Sequence, residues 1–375
     1  MDFSVRDILF LKYTPDLGPA RIRNLISAFG SIGDIQSSTT KDLCRLDGFD
    51  EILSKKVLNG IRQNLKDKSY SEKIEKQIDL AEKYKSEILT ILDSTYPENL
   101  KSIYDAPVVL YIRGSIQTED EFSIAVVGSR NVSEYGTLTA ERIASDLAVK
   151  GITVVSGMAT GIDSYAHWGC LRSGGRTIAV LGNGLDYVYP SANKKLYDEI
   201  VENGAVISEY PFGTKPLKDN FPGRNRIISG LSLGTLIVEA SKRSGALITA
   251  KYALEQNKEV FAIPGNVSSS RSEGTNMLIR DCAAKLVLTA DDILTELEPK
   301  LSKLNFIRQE RDSSLNINIS ESEKRVYHLI EDEPTTVDAM VQKSGLSLTV
   351  ILTDLLTLEL KGHVKKLPGN KYVRI

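Results

Sequence analysis

The residues best suited to chemistry lie in one short stretch. Residues 216–226 read Pro-Leu-Lys-Asp-Asn-Phe-Pro-Gly-Arg-Asn-Arg. Over residues 214–226, four Lys/Arg outweigh one Asp, a local charge of +3. Lys218, Arg224 and Arg226 can track phosphates, Asn225 can hydrogen-bond, and Phe221 offers a face on which an unpaired base stacks. The competing reading is a solvated basic loop with Phe221 in the core. A further cation follows a glycine in Gly128-Ser129-Arg130. Glycine lets backbone approach a ligand, a following helix presents free N–H groups to an anion, and a planar guanidinium suits phosphate. Ser156-Gly157 and Gly161 form another glycine turn. Several such turns at successive strand ends predict an anion site.

Other catalytic patterns are thin. The chain lacks GxGxxG, GxxxxGK[ST] and HExxH. A dinucleotide fold would place an acid where Ser156 stands, which counts against a nicotinamide cofactor. Ser229-Gly230 and Ser244-Gly245 lack the GxSxG context. His167 follows Asp163 by one helical turn and could exchange a proton with it, but a hydrogen-bonded structural histidine is the more ordinary role. Three separated cysteines, Cys44, Cys170 and Cys282, and three histidines exclude a disulfide scaffold and a CxxC zinc site. No cofactor is expected. Free thiols suit a reducing cytoplasm, and a cytoplasmic location is expected. The N-terminal apolar run is too short for a signal peptide and carries Asp2, Arg6 and Asp7. No apolar stretch is long enough to span a membrane. With 47 Lys/Arg against 49 Asp/Glu, the net charge is −2, so any nucleic-acid site must be a local patch.

The elements that position these residues follow from periodicity. A chain of 375 residues implies about two to three domains. Residues 1–69 read as short helices around the turns Asp16-Leu17-Gly18-Pro19 and Asp47-Gly48, a small all-α domain. Residues 70–298 alternate strands and helices: after two apolar strands at 88–92 and 108–112, strands at 123–127, 154–155, 177–181, 205–208, 236–238 and 260–263 are separated by helical patterns. That alternation predicts an α/β domain with a parallel sheet covered by helices on both faces. Residues 299–318 lose the pattern and read as a linker. Residues 319–375 read as three helices and two short strands around Pro368-Gly369-Asn370, a winged helix.

The strings AVVGSR (125–130), SGMATGIDSYAH (156–167), LGNGLDYVYP (181–190), SEYPFGTKP (208–216), FPGRNRIISGLS (221–232), EASKRSGALITA (239–250) and FAIPGN (261–266) closely resemble the DprA/Smf family of bacterial DNA-processing proteins. The resemblance covers some 180 colinear residues. It implies an extended Rossmann-like sheet domain that dimerises, often with an N-terminal sterile-alpha-motif-like or helix–hairpin–helix-like domain and a C-terminal winged helix. It implies a non-enzymatic function: binding and protecting single-stranded DNA and loading the RecA recombinase during natural transformation. Carried onto this sequence, the DNA-contacting residues would be Arg130, Lys218, Phe221, Arg224, Asn225 and Arg226. Gly128, Ser129, Ser156, Gly157, Gly161, Ser244 and Gly245 would shape the pocket around phosphates. Residues 274–287 would form the homodimer contact; Cys282-Ala283-Ala284 departs there from a shorter Gly-Ala.

Two further readings complete the expectation. The third winged-helix helix, 347–360, has no Lys or Arg and carries Asp354 and Glu359. A groove-reading helix needs basic or polar side chains, so this module is read as a protein-contact or regulatory unit. The alternative function is a LOG-type phosphoribohydrolase. The string Gly234-Thr235-Leu236-Ile237-Val238-Glu239 partly matches its PGGxGTxxE loop, but Leu231-Ser232-Leu233 replaces the Pro-Gly-Gly and Glu239 falls one residue late.

Overall fold

The computed structural model describes residues 3–301, 320–330, 334–361, 363–367 and 369–374. All but the first three residues of the expected linker, and Pro368 of the expected wing turn, lie outside them. The chain forms two compact units, Met1–Leu297 and Glu298–Ile375.

The first unit begins with six helices: α1 (Val5–Tyr13), α2 (Pro19–Ala28), α3 (Ile32–Ser37), α4 (Thr40–Leu43), α5 (Glu51–Asn64) and α6 (Lys68–Lys83). Side-chain caps start them where the sequence places Ser, Thr or Asp. The Ser4 hydroxyl accepts from the Asp7 N–H, Thr39 from Asp42, and Asp50 from Leu53. Ile8, Leu9, Leu25 and Ile61 are buried between them. The expected boundary at 69/70 falls inside α6. The cations around the Gly18-Pro19 turn are spent on carbonyls: Arg21 donates to Gly48 (2.9 Å) and Asp16, and Arg23 to Ile103 (2.8 Å) and Tyr104. These bonds tie the turn to neighbouring loops of the same unit.

Nine strands follow: β1 (Glu87–Thr90), β2 (Val109–Gly114), β3 (Ser123–Val127), β4 (Thr153–Ser156), β5 (Thr177–Leu181), β6 (Gly204–Ser208), β7 (Gly234–Ile237), β8 (Glu259–Ala262) and β9 (Lys285–Leu286). They form one sheet in the order β1-β2-β6-β5-β4-β3-β7-β8-β9. From β6 to β9 every pairing is parallel. The expected all-parallel sheet is extended by two strands: β2 runs antiparallel to β6, and β1 to β2. The connecting helices are α7 (Glu98–Lys101), α8 (Glu134–Val149), α9 (Ile162–Arg172), α10 (Lys194–Asn203), α11 (Asn220–Leu231), α12 (Ala246–Glu255), α13 (Glu273–Arg280) and α14 (290–301). The strands between β3 and β6 are buried along their length, as crossover helices on both faces require.

The chain walks outward from β3 to β6, then returns to lay β7 on the other side of β3. The crevice at the carboxyl ends of β3 and β7 is thus the topological switch point, where open α/β sheets bind ligands. The N-terminal helices hold the segment that leads from β6 into α11. The Lys12 ammonium donates to the Glu209 carbonyl (2.7 Å), and the Gln77 amide exchanges hydrogen bonds with the Phe212 backbone (2.9 and 3.3 Å). Burial pushes the Lys12 pKa down, opposed by the charge of Glu209. The Tyr84 and Phe212 rings stack at 5.4 Å.

The second unit contains α15 (Glu321–His328), β10 (Thr335–Thr336), α16 (Val337–Ser344), α17 (Leu348–Leu360), β11 (Val364–Leu367) and β12 (Lys371–Arg374). Its antiparallel sheet has the order β10-β12-β11. Val326, Met340, Ile351, Leu355, Leu358 and Tyr372 form its core. Three helices with a two-stranded wing make the expected winged helix.

Candidate nucleic-acid interface

A cleft of about 370 Å³ opens at the switch point. The β3 end contributes Gly128, Ser129 and Arg130, and the β7 side contributes Ser241, Ser244 and Gly245. The third wall is α11. Phe221, Arg224, Asn225 and Ile228 all line the cleft, and their spacing of three, four and seven residues is one helical face. What the sequence presents as a loop is thus a helix from Asn220. Pro222 sits at its third position, in the first turn, where a missing N–H costs nothing.

Two cations flank one ring. The Arg130 guanidinium carbon lies 5.4 Å from the Phe221 centroid, and that of Arg224 lies 5.8 Å from it. Arg130 is exposed at the rim, whereas Arg224 is only 3% exposed at the floor. The Tyr189 ring comes within 5.7 Å of Phe221 at a 35° tilt. Gly182 keeps the ring's place: a Cβ there would stand 2.9 Å from Phe221 Cδ1. Backbone bonds fix the β3 turn. The Ser129 N–H donates to the Glu239 carbonyl (2.7 Å), and the Ile162 N–H to the Ser129 carbonyl (3.2 Å).

The floor is a buried arginine, with the buried carboxyl of Asp163 close enough for its charge to be felt. Arg224 donates to the Gly157 carbonyl (2.8 Å) and to that of Val180. Burial pushes its pKa down to about 10, with the charge of Asp163 opposing, so it stays cationic at neutral pH. Burial raises the Asp163 carboxyl, while Arg224, Arg130 and the backbone N–H groups of Ala159 and Gly157 pull it back. Gly157 makes room for this arrangement, since its Cβ would lie 2.6 Å from the Arg224 guanidinium. A smaller recess alongside is lined by Gly157, Thr160, Tyr189 and Pro190, again with Arg130, Phe221 and Arg224. A rim cation, a half-buried ring and a floor cation suit an unpaired base and its phosphate.

Three sequence candidates leave this set. Arg226 is 7% exposed, and its guanidinium Nη2 donates to both Glu209 carboxylate oxygens (2.8 and 2.6 Å), with Asp105 3.2 Å from its Nε. Two residues beyond Arg224 on a helix, it points away from the cleft wall. The Ser156 hydroxyl is buried and donates to the Val126 carbonyl (2.6 Å). Lys218 is exposed but does not line the cleft. Gly161 acts indirectly: at φ +87° it brings α9 against the β3 turn, where a Cβ would stand 2.3 Å from the Ser129 carbonyl. Asn131, Asp163, Ile248 and Thr249 also line the cleft. Asn131 follows Arg130, Asp163 lies in the first turn of α9, and Ile248 and Thr249 lie in the first turn of α12, so with Tyr189 they come from segments far apart in sequence that no local pattern links.

Arg226→Met is expected to lower stability by about 3–5 kcal/mol, because it strands Glu209 near a low-dielectric interior. The affinity of the folded variant for oligonucleotide should stay within twofold of wild type. A large affinity loss at unchanged stability would return Arg226 to the site.

His167 is structural. The Thr177 hydroxyl donates to the Val154 carbonyl (2.7 Å), so the Nδ1–H donates to Thr177 (2.6 Å) and the ring is neutral. Burial, aided by the charge of Arg224, pushes its pKa down from 6.5 to about 3. The unfolded chain takes up this proton near pH 6.5 and the folded chain only near pH 3. Stability must therefore fall as pH drops through that window. Urea midpoints of His167→Gln should show a shallower fall between pH 6.5 and 4; an unchanged slope would overturn the assignment. Glu239 is also committed: it accepts from the Ser133 N–H (2.9 Å) and hydroxyl (2.7 Å) at the start of α8. Among the described residues, no cluster of His, Cys, Asp or Glu could hold a metal ion, and no helix is long and apolar enough to cross a membrane.

Comparison with known proteins agrees with this geometry. The family described as DNA recombination-mediator protein A matches residues 87–298, and the DprA winged helix domain matches residues 313–370. Protein Smf of Synechocystis sp. is 32% identical over 389 residues, covering 96% of each chain. The X-ray structure of DNA processing protein A (DprA) from Streptococcus pneumoniae superposes with a TM-score of 0.66 at 36% identity, covering 79% of this chain and 99% of that one. A structure of DNA processing protein A from Helicobacter pylori, described for its single-stranded DNA binding mode, gives a TM-score of 0.52 at 29% identity, covering 57% and 96%. From its sheet to its winged helix, the chain belongs to the DprA/Smf family of DNA recombination-mediator proteins.

Proposed function

We propose that this chain binds single-stranded DNA in the switch-point cleft, protects it and helps load RecA onto it, without itself catalysing a reaction. The observation that carries the reading is the Phe221 ring set between Arg130 and Arg224. A stacking face between two cations fits an unpaired base better than a duplex, whose bases are already stacked. The described binding mode of the Helicobacter pylori relative supports the same ligand. The setting we propose is natural transformation, in the cytoplasm. The unpaired cysteines suit that compartment.

We further propose a homodimer through residues 274–287, which comprise most of α13 and strand β9. Both β9 residues are exposed at the sheet edge, and an open edge is a ready pairing surface. The phosphoribohydrolase reading is weaker, because Glu239 is bound to Ser133 and the Pro-Gly-Gly cradle is missing. Release of free base from a nucleoside monophosphate would revive it.

The test compares a labelled single strand with its duplex, for wild type and Arg130→Ala, at two salt concentrations. Wild type should prefer the single strand, with a log–log salt slope of about 0.7 per neutralised phosphate. Arg130→Ala should lose most of the preference. Equal or absent binding would overturn the reading. Wild type, but not Arg130→Ala, should also speed RecA filament assembly on the coated strand; no acceleration would remove the loading role.

A further inference from the structure

A second pocket, of about 470 Å³, opens beside the cleft, a volume in the range of ligand sites. The segments that follow β7 and β8 and the start of α8 wall it. None of its eight lining residues is Lys, Arg or His, and one is an acid, Glu239. Glu239 is 3% exposed. It accepts from the Ser133 N–H (2.9 Å) and hydroxyl (2.7 Å), and among the described residues it enters no ion pair. The N-terminus of α8 offsets about half a unit of its charge. The rest is unmet, and an unpaired charge away from water is costly. A carboxylate oxygen accepts more than one hydrogen bond, so both Glu239 oxygens keep capacity.

The walls are fastened around this carboxylate. Gly136 leaves it room, since a Cβ there would stand 2.6 Å from Glu239 Oε2. The Tyr135 ring, 52% exposed, is anchored by its hydroxyl, which donates to the Pro264 carbonyl (3.1 Å). The Asn276 amide exchanges hydrogen bonds with the Gly265 backbone (3.1 and 3.0 Å).

We propose that this pocket binds a guanidinium group, in the form of an arginine side chain presented by a partner protein. A lone carboxylate beside an aromatic face selects a cation. Guanidinium is more weakly hydrated than ammonium, matches a carboxylate with its planar fork and stacks on a ring. Phosphate is excluded, because Glu239 repels it and no cation lines the pocket. The pocket is therefore not an extension of the DNA path. Free arginine is disfavoured on the same ground, since its own carboxylate would find no counter-charge. An arginine within a polypeptide has no such group to place. The Glu239 carbonyl holds the Ser129 N–H (2.7 Å), and Ser241, two residues on, lines the cleft. One short segment thus separates the two pockets, and a protein seated in the second stands beside the first.

Titration calorimetry of the full chain with N-acetyl-arginine methylamide, without oligonucleotide, tests this. The probe should bind roughly tenfold or more tighter than its citrulline counterpart, which keeps the shape and loses the charge. The lysine counterpart should fall between them. Agmatine distinguishes a polypeptide source from a small free cation; if it binds tighter than the blocked arginine, the protein partner is ruled out. Glu239→Gln should abolish the preference for arginine over citrulline. Because Glu239 also holds Ser133, Ser269→Lys is the second variant. It sets a cation in the pocket and leaves the bonds to Ser133 in place. It should lose roughly tenfold or more in arginine affinity, the worth of the charge it neutralises, at an unchanged melting temperature. Tyr135→Ala should weaken binding about two- to fivefold, the worth of an exposed cation–π contact. Equal binding of the arginine and citrulline probes, or wild-type binding by Ser269→Lys, would overturn the proposal. Neither outcome touches the cleft reading, because no DNA is present.

Discussion

Phe221→Ala is expected to weaken single-strand binding by roughly 5- to 150-fold, the equivalent of about 1–3 kcal/mol for one stacked base. Among the described residues that line the larger cleft it is the only aromatic one, and two guanidinium carbons lie 5.4 and 5.8 Å from its centroid. Truncation removes the stacking surface and leaves both charges in place. Phosphate attraction should survive, so the salt slope should hardly change while the intercept falls. Duplex affinity, which depends on phosphates alone, should fall less. Phe221→Leu, which keeps bulk without a π-face, should lie between. Fluorescence anisotropy with a short oligonucleotide makes the measurement. Wild-type affinity in Phe221→Ala would remove stacking from the account.

Arg224→Met should cost about 1–3 kcal/mol of stability or more, because it leaves two buried carbonyls without their donor and removes the nearby charge that favours the Asp163 carboxylate. Asp163 would lose its cation, and the Gly157 and Val180 carbonyls would lose their donor. Burial already holds the Asp163 carboxyl above its ordinary range. A protonated carboxyl needs no cation, so the deficit of the variant should narrow as pH falls toward that raised value. Arg224→Met with Asp163→Asn should recover part of the loss, with a coupling of roughly 1 kcal/mol or more. Urea unfolding of the four proteins closes the cycle. A loss below 1 kcal/mol at neutral pH would mean that Arg224 serves the ligand alone.

The strand–helix alternation was legible because each buried parallel strand is a short apolar run between turn residues. β1 and β2 were legible as strands but not as antiparallel ones, since direction depends on the path of the 18 residues between them. The cleft was half legible. Arg130, Phe221 and Arg224 could be found from charge and aromaticity. Arg226 could not be separated from Arg224, because Pro222-Gly223 hides the start of α11. Without the helix, two arginines two residues apart appear equivalent; with it, one faces the cleft and the other faces Glu209. Tyr189 and Asp163 reach the site only through tertiary packing, which no local period encodes.

The grip of α1 and α6 on the segment after β6 bears on how this chain can be taken apart. The family match begins at residue 87, yet Lys12 and Gln77 hold Glu209 and Phe212, a few residues upstream of the helix that carries Phe221. The first six helices are therefore not an appendage that shuffling could add or remove freely. Cutting at residue 86 would uncover Tyr111 and Phe212 and untie the lead-in to α11. The winged helix, whose core is self-contained, is the exchangeable module. Within this chain, then, the first unit comes apart only as one piece, while the second carries a core of its own.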